Sequence, residues 1–207
     1  MTRVFGERPT AGHPGPLVTR YQRWGKRLLD MTLAAPAAVI ASPVAIAIAV
    51  AIRIEDGPPV LFRQERVGRD GKAFKLLKFR SMPVNTPPVP SAEATALRTT
   101  RVGSLIRRLS LDELPQLMNV LRGEMSLVGP RPPLAAQFAL VELRRNNNSL
   151  SLKPGLTGLA QVKSYDGMPE AEKASWDGMY AIRVSLTLDV RLLAETVTYL
   201  LKRPPQY

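Results

Sequence analysis

The chain has 207 residues, with 29 Lys and Arg against 17 Asp and Glu for a formal charge of +12, no cysteine and a single histidine. Without cysteine there is no disulfide, thiolate metal site or cysteine nucleophile, and His13 lies in a Pro/Gly-rich stretch, which argues against Ser-His-Asp or zinc chemistry. The charge calls for a polyanionic partner; aromatics at only 6%, with no nucleic-acid reading motif, argue against nucleic acid and leave an anionic bilayer or phosphorylated substrates.

Residues 1–20 hold Pro9, Pro14, Pro16 and three glycines with little apolar periodicity, and read as a flexible tail. From Tyr21 the pattern changes. Trp24, Lys26 and Arg27 form an aromatic and basic anchor, and Met31 to Ile52 is a run of 22 residues without a charge. As a straight helix this run would rise about 33 Å, enough to cross a bilayer. Basic residues flank both of its ends, Asp30 stands at its entrance, and Ser42-Pro43 interrupts its middle. Pro43 cannot donate to the carbonyl of Val39, so a kink is expected there, with the Ser42 hydroxyl available to the freed backbone. From these residues alone, a proline-kinked spanning helix and a re-entrant helix-break-helix over 21–55 fit equally well.

Pro59 to Val67 and Lys72 to Arg80 are β-prone runs separated by Gly68-Arg69-Asp70-Gly71, which predicts a hairpin. Alternation puts Lys75, Leu77 and Phe79 on one face of its second arm and Leu76, Lys78 and Arg80 on the other. Residues 83–97, with Pro83, Pro87, Pro88 and Pro90, read as a loop or lid. Thr100 to Leu109 then leads helically into Arg107 to Pro132, RRLSLDELPQLMNVLRGEMSLVGPRP. Ser110 to Glu113 fits a capping box, and Leu114, Leu117 and Leu121 recur at helical spacing until Gly123. Asp112 and Glu113 would thus occupy a helix's first turn, facing its positive end, with Pro115 as an alternative first helical residue.

Acidic residues in a first turn can do no more than complement a dipole. Here Arg107, Arg108 and Arg122 accompany them, and Gly129-Pro130-Arg131-Pro132-Pro133 fixes an arginine whose planar fork suits phosphate. Carboxylates among arginines point to phosphate chemistry. Beyond lie an amphipathic helix from Leu134 to Arg145, a turn-rich Lys153-Pro154-Gly155-Leu156-Thr157-Gly158, a helix over Glu170 to Val184, and a leucine-rich amphipathic end from Ser185 to Arg203. The fold class expected is mainly α with a small β-hairpin, a compact domain over 56–207 following the apolar segment.

SLDELPQLMNVLRGEMSLVGPRP, KFRSM (Lys78 to Met82) and KPGLTGLAQV (Lys153 to Val162) closely resemble the signature of the bacterial sugar transferases, the monotopic phosphoglycosyl transferases, over roughly Arg23 to Arg203. The resemblance implies a re-entrant anchor broken at Ser42 and Pro43, with the catalytic domain on the cytoplasmic face of the bacterial inner membrane. It implies transfer of a sugar 1-phosphate from a UDP-sugar to polyprenyl (undecaprenyl) phosphate, with release of UMP, as the first membrane step of surface glycan synthesis. In that scheme Asp112 is the nucleophile that forms an aspartyl phosphosugar and Glu113 holds Mg²⁺. Lys78, Arg80, Arg107, Pro130 and Arg131 are implied in holding substrate phosphate, and Glu124, Lys153 and Asp189 are further candidates.

Many relatives carry an Asn-Gly-Arg triplet after GLAQV, where this chain has Lys163-Ser164-Tyr165-Asp166-Gly167; if that arginine holds nucleotide phosphate, Lys163 or another cation is expected to serve here. The sequence leaves open which sugar is used, which glycan is built and whether the chain pairs as a homodimer.

Overall fold

A computed structural model describes residues 19–84, 86, 99–165 and 167–202. Residues 1–18 of the expected tail, most of the 83–97 loop, Asp166 and residues 203–207 fall outside the described residues. The fold is mainly helical with a small antiparallel hairpin, as the periodicities predict.

After a π-helical turn at Tyr21–Gly25, helix α1 runs from Lys26 to Asp56. It is continuous: the break expected at Ser42-Pro43 is instead a local defect inside one helix that also contains Pro36. The Ser42 hydroxyl donates to the carbonyl of Val39 (2.7 Å), the acceptor that Pro43 strands, so the helix need not end there. Arg27, Asp30, Ala34, Ala38, Ala41, Ala45, Ile48, Ile52 and Asp56 recur every three or four residues and are all buried or partly buried. The opposite face exposes Leu28, Leu33, Val39, Ile40, Ile46, Val50 and Ile54. A stripe of mostly small or polar residues, with Ile48 and Ile52 near its far end, therefore lies on the domain along the whole helix, while most of the large apolar side chains point away.

Strands β1 (Leu61–Val67) and β2 (Ala73–Phe79) pair antiparallel, Leu61 opposite Phe79 and Val67 opposite Ala73. Strand β2 is buried on both faces at Leu76 and Leu77, so strict alternation does not hold there, whereas β1 stays exposed at Phe62, Arg63 and Glu65. Leu76 packs into a core with Ala34, Val120, Met125, Val128, Tyr180 and Leu192, whereas Phe79 packs with Ile48, Ile52 and Ile106. The free edge of β2 is closed by one side chain. Asn119 accepts from the Leu77 amide (3.0 Å) and donates to the Lys75 carbonyl (2.8 Å) and to Glu124 (2.6 Å), doing for β2 what a third strand would do.

Helix α2 (Arg101–Arg108) is capped by the Thr100 hydroxyl and by Glu55 of α1, which accepts from the Arg101 and Val102 amides. Helix α3 (Gln116–Arg122) ends at Gly123, whose φ of +81° is the expected left-handed stop. Beyond it, β3 (Ser126–Val128) pairs in parallel with β4 (Gly155–Thr157), a second sheet that residues read as loops did not announce. Three residues are too few for a period. Helices α4 (Phe138–Asn146), the short α5 (Leu159–Val162), α6 (Glu170–Arg183) and α7 (Leu186–Lys202) complete the order.

Buried charges of α1 bind it to this frame. Asp30 accepts from the Ser126 hydroxyl (2.9 Å) and the Leu127 amide (2.8 Å) of β3, and Arg27 donates to the Val120 and Leu121 carbonyls near the end of α3. Lys26 pairs with the fully buried Asp189 of α7 at 2.6 Å.

Replacing Asn119 with Ala leaves the Leu77 amide and Lys75 carbonyl without their partner, and is expected to cost about 2–4 kcal/mol of stability. Denaturation of the detergent-solubilised protein checks this; an unchanged midpoint would show that β2 does not depend on Asn119.

Candidate active site

The sequence Leu111-Asp112-Glu113 folds as a 3₁₀ turn ahead of α3, which corrects the expected capping box. Ser110 adopts a left-handed conformation (φ 56°) and its buried hydroxyl has no hydrogen-bond partner, so it does not cap a helix. The cause is Pro115. An α-helical turn here would leave the Leu111 carbonyl without its donor; in the tighter turn the Leu114 amide donates to it at 3.2 Å. Asp112 and Glu113 therefore precede α3 rather than occupying its first turn.

This turn packs against the end of β2 and presents both carboxylates to a set of cations. Lys78 Nζ lies 2.7 Å from Glu113 Oε1 and 3.6 Å from Asp112 Oδ2. Arg131 Nη2 donates to the same Glu113 oxygen at 2.8 Å. Arg107 is close enough to act on the Asp112 charge and is steadied by the Ser81 hydroxyl at 2.8 Å. The sequence-predicted Asp112, Glu113, Lys78, Arg107 and Arg131 are thus brought together.

The Arg131 loop is held by backbone. The Gly129 amide donates to Thr157 (2.8 Å) and the Gly155 amide to Pro130 (2.9 Å), so Pro130 contributes its carbonyl to this lock. A Cβ on Gly155 would fall 2.1 Å from the Gly129 nitrogen, and one on Gly158 would fall 2.1 Å from the Gly129 oxygen. The glycines of KPGLTG therefore serve to bring two backbones together. From the other side Arg144, ion-paired with the buried Asp177 at 2.6 Å, donates to the Arg131 carbonyl at 2.7 Å.

Four candidates have other employment. Arg80 is buried, and its guanidinium donates to the carbonyls of Asp56 and Gly57 and pairs with the Asp56 carboxylate at 3.0 Å, joining α1 to β2 rather than facing phosphate. Glu124 holds Asn119. Asp189 accepts from Tyr21, Lys26 and Tyr180, all at 2.6 Å, and is a structural anchor. Lys153 lies among the charges of Arg27, Asp30 and Lys26 at the start of α1 and of Arg69 in the hairpin turn. Ser42 and Pro43 stay exposed on α1.

Sequence reasoning missed Arg66, which is 8% exposed, donates to Gln64 and to the Pro132 carbonyl (3.1 Å), and is near enough to Arg131 and Glu113 to feel both. Its local pattern gives no signal beyond a cation on the first arm of the hairpin. Arg144 and Asp177 were missed because nothing in their local patterns links two helices.

The two carboxylates are pushed in opposite directions. Burial raises the Asp112 carboxyl above the ordinary range, with Lys78 pulling it back, Glu113 pushing it further, and Arg107 and Arg131 lowering it. Burial also acts on Glu113, but Arg131 and Lys78 outweigh it and hold that carboxyl down to about 2. The expectation that a helix end would favour ionised Asp112 therefore gives way to burial. Among the described residues no three His, Asp or Glu side chains gather as a metal cage. The Asp112–Glu113 pair nevertheless fits Mg²⁺, which takes one or two carboxylates and fills its shell with water and phosphate oxygens.

The sequence family described as bacterial sugar transferase matches residues 21–203. The chain is 39% identical over 215 residues to a UDP-glucose:undecaprenyl-phosphate glucose-1-phosphate transferase of Caulobacter vibrioides, covering 100% of this chain and 79% of the relative. It is likewise 39% identical to a UDP-galactose-lipid carrier transferase of Erwinia amylovora over 212 residues, 92% of this chain and 43% of the relative. With a UDP-glucose:undecaprenyl-phosphate glucose-1-phosphate transferase of Escherichia coli it shares 39% over 181 residues, 83% of this chain and 39% of the relative. The chain thus spans less than half the length of two of these relatives.

The opposite shifts set opposite stability effects. A carboxyl held at about 2 stabilises the fold above its unfolded pKa near 4.5 and loses that contribution as pH falls towards 2. A raised one destabilises the fold wherever it is ionised. At pH 7, Glu113→Gln is expected to lower stability by about 1–3 kcal/mol, part of the gain being screened at half-exposed Arg131, and Asp112→Asn to raise the melting temperature. Thermal unfolding of both variants checks the pair; equal shifts of one sign would refute the assigned environments.

Proposed function

Because this chain belongs to the bacterial sugar transferase family, we propose that it transfers a sugar 1-phosphate from a UDP-sugar to polyprenyl phosphate at a membrane face. The observation that carries this reading is the pair of neighbouring carboxylates set among Lys78, Arg131, Arg107 and Arg66. Two carboxylates against four cations leave positive charge for a diphosphate.

In the proposed reaction an Asp112 carboxylate oxygen bonds to the β-phosphorus of the UDP-sugar. The bond from that phosphorus to the bridging oxygen breaks, and UMP leaves with the electron pair. A phosphate oxygen of the polyprenyl acceptor then attacks the same phosphorus and displaces Asp112, giving the polyprenyl diphosphate sugar. Asp112 suits the nucleophile because Lys78 lies beside it, and it is not locked into a short ion pair as Glu113 is. Arg131 and Lys78, held at Glu113, are positioned to bind the donor phosphates. Mg²⁺, held by Glu113 with Asp112 beside it, would supply charge neutralisation of the diphosphate. Arg144 and Asp177 fix the backbone that presents Arg131.

The topology proposed keeps both ends of α1 on one face of the membrane. Helix α1 has mean hydropathy 2.3 in its most apolar window and is, among the described residues, the one helix long and apolar enough to cross a membrane. Yet its start is bonded to β3, α3 and α7 and its end to α2 and β2. A spanning arrangement would tear one set of these hydrogen bonds and ion pairs away from the domain. Lying with its outer face in lipid keeps them all, and the flanking basic residues favour the cytoplasmic side of a bacterial inner membrane as the domain's location.

Incubation with labelled UDP-sugar alone is expected to give a phosphosugar adduct that mass spectrometry maps to Asp112, and none in Asp112→Asn. An adduct on another residue, or full turnover by the Asn variant, would overturn the assignment. For topology, cysteines introduced at residues 20 and 202 should both be labelled from the cytoplasmic side; labelling from opposite sides would sink the one-face reading.

A further inference from the structure

The loop Gly129-Pro130-Arg131-Pro132-Pro133 contains three prolines, which have no N–H to donate, so it can be fixed chiefly through its carbonyls. Four consecutive carbonyls are taken, each by a donor from outside the loop. Pro130 accepts from the Gly155 amide (2.9 Å) and Arg131 from Arg144 (2.7 Å), while Pro132 accepts from Arg66 (3.1 Å) and Pro133 from the Val67 amide (3.0 Å). Two of the four attachments therefore come from the last two residues of β1.

Arg66 is itself held. Its Nε (3.1 Å) and Nη2 (2.6 Å) both donate to Gln64 Oε1, leaving Nη1 for the Pro132 carbonyl. Gln64 and Arg66 stand two apart on β1, so their side chains leave the same face of the strand. A planar guanidinium gripped along one edge has a fixed direction for its remaining donors. Gln64 is an amide rather than a carboxylate, so it orients Arg66 without cancelling a charge that acts on both Arg131 and Glu113.

We propose that Gln64 and Arg66 are positioning residues for the donor phosphates: Gln64 orients the Arg66 guanidinium, and Arg66 sets the Pro132 carbonyl and with it the direction of the Arg131 side chain. The proposal rests on the transferase reading, which assigns Arg131 to the donor, and adds to it what aims that arginine. Arg131 needs such support because 39% of its side chain is accessible, whereas Arg66 is 8% exposed. Arg131 Nη2 lies 2.8 Å from Glu113 Oε1, so a small turn of the loop would change both that contact and the place where a phosphate oxygen is met.

The test replaces Gln64 with Met, which keeps the length of the side chain and removes the acceptor. Hydrogen exchange at the Val67 amide, bonded to the Pro133 carbonyl, reports docking of the loop with no substrate present. It is expected to quicken in Gln64→Met and to stay at the wild-type rate in Gln64→Glu, which retains an acceptor for Arg66. Unchanged exchange in Gln64→Met would overturn the proposal, as would equally rapid exchange in Gln64→Glu.

With labelled UDP-sugar alone, the donor concentration giving half-maximal adduct formation should rise about tenfold in Gln64→Met. Action through Arg131 requires that the double variant with Arg131→Lys be no worse than Arg131→Lys alone. Additive losses, or an unchanged donor requirement, would overturn the positioning role. If Gln64→Met does not fold, Arg66→Lys, which keeps the charge and loses the fork, takes its place with the same expected changes. Absence of adduct in the wild-type protein would refute the transferase reading instead, and exchange at Val67 would then decide whether Gln64 and Arg66 hold the loop.

Discussion

The arrangement depends on one constraint: an apolar helix must carry buried charges on the side that meets the domain. Asp30 and Arg27 are taken out of water at the start of α1, and each costs stability unless satisfied. Asp30 is satisfied by the β3 backbone and a serine, Arg27 by the last carbonyls of α3, and Lys26 by Asp189. At the far end Asp56 and Glu55 do the same for Arg80 and for the start of α2. These contacts fix the helix's rotation about its axis, and with it which residues face the domain. The inward-facing alanines and the apolar outer face both follow from that rotation.

The same contacts position the chemistry. Asn119 joins β2 to α3, and the 3₁₀ turn leads directly into α3, so Lys78 and the carboxylates are held by two elements that cannot move independently. Arg131 arrives from a third direction, on a loop whose glycines let two backbones touch. No side chain of the cluster relies on a long flexible loop among the described residues. Preorganisation of this kind lets charge act on a reacting phosphate without reorganising when the substrate binds.

The charge pattern at the site divides two chemically similar residues. Glu113 is neutralised by two cations and kept ionised, which makes it a fixed partner for positive groups. Asp112 is buried with weaker compensation, at 3.6 Å from Lys78, so its carboxylate is less stabilised than that of Glu113, in keeping with the bond-forming role proposed for it. Such a group weakens the fold where it sits, a common feature of reactive positions.

Much of this was legible in the residues themselves. The apolar run, the Gly68–Gly71 turn, the Gly123 stop and the adjacent carboxylates among arginines are local patterns, each with a period or a backbone requirement that sequence expresses directly. The signature motifs brought Asp112, Glu113, Lys78, Arg107 and Arg131 forward before any coordinates. What only tertiary structure decided was the partner of each charge. Arg80 and Lys78 stand two residues apart in the same motif, yet one closes a junction with Asp56 and the other faces Glu113, because side-chain destinations depend on elements distant in sequence. Ser110 looked like a helix cap until Pro115 forced a tighter turn. The parallel β3–β4 pair, the Asn119 bridge and the Arg144–Asp177 support join segments about 30 to 44 residues apart, and the grip on Asp30 spans nearly a hundred. Local periodicity records which face of an element is buried; it carries no record of what lies against that face.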